Sequence, residues 1–97
     1  MVVRMTMTMI PAWLEIDGEG VVQALQEARE RLESAEGDLF LDFSSVRRID
    51  PRALRTMEKL AGVADDKAVK VVLRGVNVDV YKVLKLARLA PRFSFLI

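Results

Sequence analysis

The chain has 97 residues, no cysteine, no histidine, 52% hydrophobic residues and a formal net charge of +1 at pH 7. A chain of this length forms one small domain, and its hydrophobic content excludes a disordered protein. The absence of cysteine excludes thiol chemistry, and histidine, the commonest general base and metal ligand, is also absent. We therefore expect no enzyme activity, no metal and no cofactor.

The sequence begins with a predicted β-hairpin. Residues 3–10 alternate apolar and polar side chains, which is the period of a half-buried strand, and Pro11 ends the pattern. Residues 13–16 predict a second strand, closed by the turn signal at Asp17 and Gly18. The first strand is rich in methionine, which indicates core packing or, as the alternative, an adaptable face of a homodimer.

A helix and a buried strand follow. Apolar residues recur at helical spacing over about residues 20–34, and Gly37 ends this predicted helix. The nearly continuous apolar run 39–43 is typical of a central strand. A second helix is predicted to begin at Pro51, a residue favoured at the first helical position, with Asp50 as its N-cap.

The last third of the chain repeats this alternation. Residues 69–73 predict another buried strand, and Gly75 closes it. Asn77 or Asp79 is suited to cap a third helix. The tail 93–97 alternates weakly, so either a short edge strand or core packing is consistent with it.

The order of these elements predicts a single α/β domain over residues 1–97. Strand-helix-strand units imply parallel pairing, because a crossover helix returns the chain to the same end of the sheet. We therefore expect a mixed sheet with parallel central strands and with the helices mainly on one face.

Charge and hydropathy limit the classes of partner. Residues 1–45 have three basic and nine acidic side chains, a net charge of −6, whereas residues 46–97 have twelve basic and five acidic ones, a net charge of +7. One interpretation is that the two oppositely charged halves attract each other in the folded domain. The alternative is that the basic residues form a surface that binds an acidic or phosphorylated partner. A near-zero net charge and 6% aromatic residues argue against nucleic-acid binding. Without a long apolar run or a signal-peptide pattern, we expect a cytoplasmic protein without membrane insertion.

Four arginines surround the predicted start of the second helix: Arg47, Arg48, Arg52 and Arg55. A helix N-terminus offers unpaired N–H groups and the positive end of the helix dipole, and guanidinium groups bind phosphate or carboxylate bidentately. The cluster therefore predicts an anion site or a surface for an acidic partner, with a solvated loop as the alternative. No glycine-rich nucleotide-binding motif is present.

Residues 39–54 resemble the signature of the STAS domain, the family of anti-sigma factor antagonists and sulfate-transporter cytosolic domains. The family pattern is a buried strand ending in Asp-Leu-Ser, a short apolar step to Asp, and then Ser-Ser-Gly-Leu at the start of a helix. The matching residues here are Asp42-Phe43-Ser44, Ile49-Asp50 and Leu54. Residues 69–75 resemble the next strand of the family and residues 77–89 its final helix, so the resemblance covers about residues 12–97.

The departures from the family pattern bear on function. In phosphorylated members, the serine directly after the aspartate accepts phosphate from a partner kinase, whereas here that position is Pro51, which has no hydroxyl. Arg52 and Ala53 replace the following serine and glycine, and Arg88 replaces a glycine late in the last helix. The hydroxyls nearest to the family phosphosite are those of Ser44, Ser45 and Thr56, with Thr56 slightly ahead as a displaced switch.

The resemblance implies a non-catalytic regulatory domain that binds a partner protein, such as an anti-sigma factor or a kinase-like protein, without the serine phosphoswitch. The binding surface would be the loop and helix start at residues 44–58. The alternative is a small-molecule domain that holds a nucleotide or another anion at the arginine-rich helix start. The residues predicted to contact the partner are Ser44, Ser45, Arg48, Asp50, Arg52, Arg55 and Thr56.

Overall fold

A computed structural model describes residues 13–34 and 37–96. These residues form strands that alternate with helices along the chain, as the sequence pattern predicts. The strands are β1 (Leu14–Glu15), β2 (Leu39–Asp42), β3 (Val71–Arg74) and β4 (Ser94–Leu96). The helices are α1 (Val21–Ser34), α2 (Pro51–Lys67) and α3 (Val78–Leu86), and a 3-10 turn at Ala90–Arg92 precedes β4.

The described strands form one sheet in the order β1-β2-β3-β4, and each neighbouring pair is parallel. Parallel pairing follows from the helix between each strand and the next, which returns the chain to the same end of the sheet. The tail is confirmed as a short edge strand, β4, next to β3. The hairpin strand predicted over 3–10 lies outside the described residues, and so does the antiparallel part of the predicted mixed sheet.

One face of the sheet and the three helices share a single hydrophobic core. Leu41 and Leu73 are fully buried, whereas their strand neighbours Phe40 and Val72 are only half-buried. This alternation arises because successive side chains of a strand point to opposite faces. The buried side chains of the helices join the Leu41 and Leu73 face in one cluster, which confirms an α/β domain with helices on one face.

The opposite face of the sheet carries an aromatic and ionic cluster. The ring of Trp13 meets that of Phe40 edge-on at 5.2 Å. The Arg74 guanidinium lies 4.2 Å from the centre of the Trp13 ring and forms an ion pair with Asp42 at 3.2 Å. A cation over an indole ring is attracted by its negative face, so these contacts tie β1, β2 and β3 together on this side.

The helix ends follow the capping chemistry of the sequence. Asp50 accepts a hydrogen bond from the Ala53 N–H at 2.8 Å, as predicted for the N-cap of α2. Asn77, and not Asp79, caps α3 by accepting from the Val80 N–H at 2.7 Å. Within the described part of the chain, no helix is long and apolar enough to cross a membrane.

Candidate functional site

The loops that follow β1, β2 and β3 meet at the carboxyl edge of the sheet. A Cβ atom on Gly18 would clash with the backbone carbonyl oxygen of Ser45, and one on Gly75 would clash with the Ser44 hydroxyl. Gly75 also has a φ of +71°, which is a left-handed conformation that favours glycine. The loop after β2 is therefore held closely between the loops on either side of it.

Ser44 begins this central loop, and its polar groups are used locally. Both the N–H and the hydroxyl of Ser44 donate to the same carboxylate oxygen of Asp42, the N–H at 2.9 Å. These two bonds, the hydroxyl first, together with the weaker effect of Arg74, hold the pKa of Asp42 below its ordinary value despite partial burial. The Ser44 hydroxyl thus shapes the loop, while the neighbouring Ser45 side chain is exposed.

Asn77 joins the third loop to the central one. Its side-chain amide donates to the carbonyl oxygens of Val46 at 3.2 Å and of Arg47 at 3.1 Å, while its side-chain oxygen caps α3. A single side chain therefore fixes the start of α3 and the path of the loop that leads into α2.

The first turn of α2 has few free N–H groups. Pro51 stands at the first helical position and has no N–H, and the Ala53 N–H is taken by the Asp50 carboxylate. The Leu54 N–H donates to the Asp50 carbonyl in the regular helical pattern. The backbone at this helix start is therefore nearly satisfied without any ligand.

The arginines give the site its charge. Arg47, Arg48, Arg52 and Arg55 are all exposed, and none of them has an ion-pair partner among the residues described. Four positive side chains therefore face solvent around one helix start, with the carboxylate of Asp50 among them.

Thr56 lies apart from the other residues predicted for the site. Its side chain is 8% exposed, and its hydroxyl donates to the Arg52 carbonyl one turn earlier in the helix at 3.0 Å. A hydroxyl in this position satisfies itself within the helix. Thr56 therefore contributes to the packing beneath the site, and a kinase would reach it only after α2 opens locally.

A shallow depression lies between the start of α1 and the start of α2. Arg48, Arg52 and Asp50 line one side of it, and the turn that contains Glu19 and Gly20 lines the other. Carboxylates and guanidinium groups thus share the same depression. Among the described residues, no group of three or more acidic side chains is placed to hold a metal ion.

Sequence reasoning missed two of the residues that position the site. Asn77 was recognised only as a helix cap, and Gly18 only as a turn residue. The signal for Asn77 was its residue type at the N-cap, which says nothing of bonds to a loop thirty residues earlier. The carbonyl oxygens that its amide reaches belong to Val46 and Arg47, which only the folded chain brings near it.

Comparison with known protein families gives a match that spans most of the chain. Residues 15–96 match the family described as "Mlab, STAS domain". No curated protein matches the chain significantly. The matched range includes every residue that the sequence assigned to the site and, apart from Leu14 at the start of β1, all of the strands described above.

Proposed function

The chain belongs to the STAS domain family, and on this basis we propose that it is a non-catalytic regulatory domain that binds a partner protein through the start of α2. STAS domains generally mediate protein–protein interactions. The partner would be a protein such as an anti-sigma factor or a kinase-like protein, with an acidic surface where it meets the arginines.

The observation that carries this proposal is a set of exposed arginines that have no ion-pair partner in the described part of the chain and that project from an ordered loop and helix start. The loop before α2 is held by Gly18, Gly75 and Asn77, so the arginines project from a backbone that is already ordered. Preordered groups lose less conformational entropy on binding. Exposed charges of one sign also speed association with an acidic partner and favour it over a basic one.

The same region supports binding without a phosphorylation switch at the family position. Pro51 has no hydroxyl and completes the first turn of α2. The nearby hydroxyls of Ser44 and Thr56 already donate to Asp42 and to the Arg52 carbonyl. A surface built in this way is permanently ready to bind, so its regulation would depend on the amount or state of the partner.

Binding of a free anion or nucleotide is the competing function, and two features weigh against it. In the first turn of α2, Pro51 has no backbone N–H, and the N–H of Ala53 already donates to the Asp50 carboxylate, so few donors are left for an anion. The depression beside the arginines also contains the carboxylates of Glu19 and Asp50, which repel an anion. A protein surface can place acidic residues on the outer arginines and avoid these carboxylates, whereas a compact phosphate cannot.

Capture of partners on tagged protein, with quantitative mass spectrometry, tests the proposal. In a lysate of the source organism, we expect at least one protein to be captured by the wild type. Its capture should fall by about tenfold or more on Arg52→Glu combined with Arg55→Glu, since reversing two contacting charges costs more than the ~1.4 kcal/mol of a tenfold change. The far-ultraviolet circular dichroism should not change, because both side chains are exposed.

Lys59→Glu is the matched control. It makes the same change of charge as either arginine substitution alone, on an exposed position of α2 that lies one turn beyond Arg55 and seven residues from Arg52, or about 10 Å along the helix axis. Capture retained by the arginine variant, or lost equally in the control, would contradict the assignment to the helix start. A saturable rise in melting temperature with ATP or phosphate, abolished by Arg48→Ala, would instead support the small-molecule function.

A further inference from the structure

A second surface lies away from the start of α2, where α3 faces β4. The ring of Tyr81 meets that of Phe95 edge-on at 5.2 Å, and together they form the floor of a groove. Val76, Val78 and Leu96 line one half of it. This α3–β4 groove is mainly apolar, although it is open to solvent.

The exposure of these side chains is unusual for their type. Val78 is 68% exposed, Leu96 54% and Tyr81 40%. A single exposed apolar residue needs no explanation, but several around one depression mark a surface for binding. The groove therefore offers apolar contacts that the described part of the chain does not use.

The strand beside the groove is also open. In the described sheet β4 pairs only with β3, so its outer backbone groups face no other strand. Edge strands are usually protected by charged residues or proline, but Ser94–Leu96 contains neither. An extended peptide can add to such an edge, with alternate side chains entering an adjacent groove.

Basic side chains border the other half of the groove. Lys85 and Arg88 lie beside Tyr81 and Phe95, next to Pro91. Both basic side chains are exposed, and neither has an ion-pair partner among residues 13–34 and 37–96. An acidic residue of a bound segment would complement them.

Arg88 has a backbone conformation that favours glycine. Its φ is +63°, and the Leu89 N–H donates to the Leu84 carbonyl at 2.8 Å, which is the pattern of a helix end closed by a left-handed residue. A side chain in this conformation is strained. The fold is therefore less stable with arginine than with glycine at this position, and no ion pair within the described residues offsets the difference.

We propose that the α3–β4 groove binds an extended segment of a partner protein, which pairs with β4 and places an acidic residue against Lys85 and Arg88. Charge favours this occupant over a second copy of the chain. A symmetric dimer through the groove would bring the same basic groups of two copies towards each other. None of the four arginines at the start of α2 lines the groove, so the inference does not depend on the function proposed above.

Selection of peptides from a random phage-displayed library tests the proposal. The bait is the Arg52→Glu, Arg55→Glu variant, because it removes the competing basic surface at the start of α2. Enriched peptides should alternate apolar residues and include aspartate or glutamate. The most enriched peptide, made synthetically, should cause saturable amide shifts in ¹⁵N-labelled protein at residues 76–81 and 94–96. No enrichment, basic peptides or shifts elsewhere would overturn the proposal.

A second pair of variants separates binding from folding. Arg88→Gly should raise the melting temperature by several degrees, because it relieves the left-handed strain, and should weaken peptide affinity about tenfold. Ala68→Gly is the control, since Ala68 ends α2 with a φ of +57° and lies outside the groove. It should raise the melting temperature without changing affinity.

Wild-type affinity in Arg88→Gly would refute the acidic contact. A concentration-dependent dimer in analytical ultracentrifugation that dissociates on Leu96→Asp would also overturn the proposal, because a second copy would then occupy the groove.

Discussion

Asn77 combines a helix cap with two loop contacts, and the two roles can be separated by substitution. Its side-chain oxygen accepts from the Val80 N–H, and its amide donates to the carbonyl oxygens of Val46 and Arg47. Asn77→Ala removes both roles. Asn77→Ser keeps an acceptor for the cap and removes the donor, whereas Asn77→Asp keeps the cap and turns a carboxylate oxygen towards the two carbonyls.

The expected magnitudes follow from these bonds. Loss of an N-cap costs about 1 kcal/mol, and each lost hydrogen bond about 0.5–1.5 kcal/mol. The free energy of unfolding should therefore fall by about 2–4 kcal/mol in Asn77→Ala and by about 1–3 kcal/mol in Asn77→Ser. Asn77→Asp should be less stable than Asn77→Ser, because its carboxylate oxygen would face the carbonyl oxygens of Val46 and Arg47 with no hydrogen between them.

Urea denaturation followed by circular dichroism measures these differences, and amide hydrogen exchange reports the loop directly. Exchange of the Val46 N–H, which donates to Phe43, should accelerate in all three variants. Asp79→Ala is the control and should cost less than about 1 kcal/mol, since Asp79 is exposed, is not the N-cap and contributes only through the helix dipole. The two roles of Asn77 would be refuted if Asn77→Ser were as stable as the wild type, or if Asn77→Asp were more stable than Asn77→Ser.

Three further predictions concern the same edge of the sheet. Because folding lowers the pKa of Asp42, chiefly through the Ser44 hydroxyl, its contribution to stability is present above the unfolded-state pKa and is lost as the pH falls through the folded value. Ser44→Ala should raise that pKa towards its ordinary value and reduce the acid-dependent loss of stability; an unchanged carboxyl titration by NMR would contradict this. Gly18→Ala should cost roughly 1–3 kcal/mol in urea denaturation, because the new methyl group must displace the Ser45 carbonyl, and a neutral result would show that the loop moves freely. Incubation with ATP and a kinase-like partner should leave residues 50–52 without phosphate in tandem mass spectrometry; phosphate on Ser44 or Ser45 would instead reveal a displaced switch.

The helices and the buried strands of this protein are determined locally, and the sequence therefore predicted them well. The spacing of Leu25 and Leu32 in α1 and the pair Asp50–Pro51 at the start of α2 are signals within one element. The apolar run of β2 is equally local. Parallel pairing followed as well, because a helix between two strands leaves few other connections.

The choice between alternatives at single residues was made by tertiary contacts. Asn77 caps α3 in preference to Asp79, since its amide also reaches the loop before α2. The tail became a strand because β3 offers it a free edge. Thr56, a candidate from its position after the helix start, is buried and bonded to the backbone. Neither hydropathy nor spacing distinguishes these outcomes.

The sequence by itself placed the arginines around the start of α2, because helix caps and charge are properties of neighbouring residues. Only the folded chain decided that the loop carrying Arg47 is clamped by Asn77 and by close contacts at Gly18 and Gly75. Only it brought Arg88, in a left-handed conformation, beside the edge strand. The physical reason is that the contacts that clamp the loop join residues about thirty positions apart, which only the sheet brings together, and local sequence preferences contain no information about such contacts.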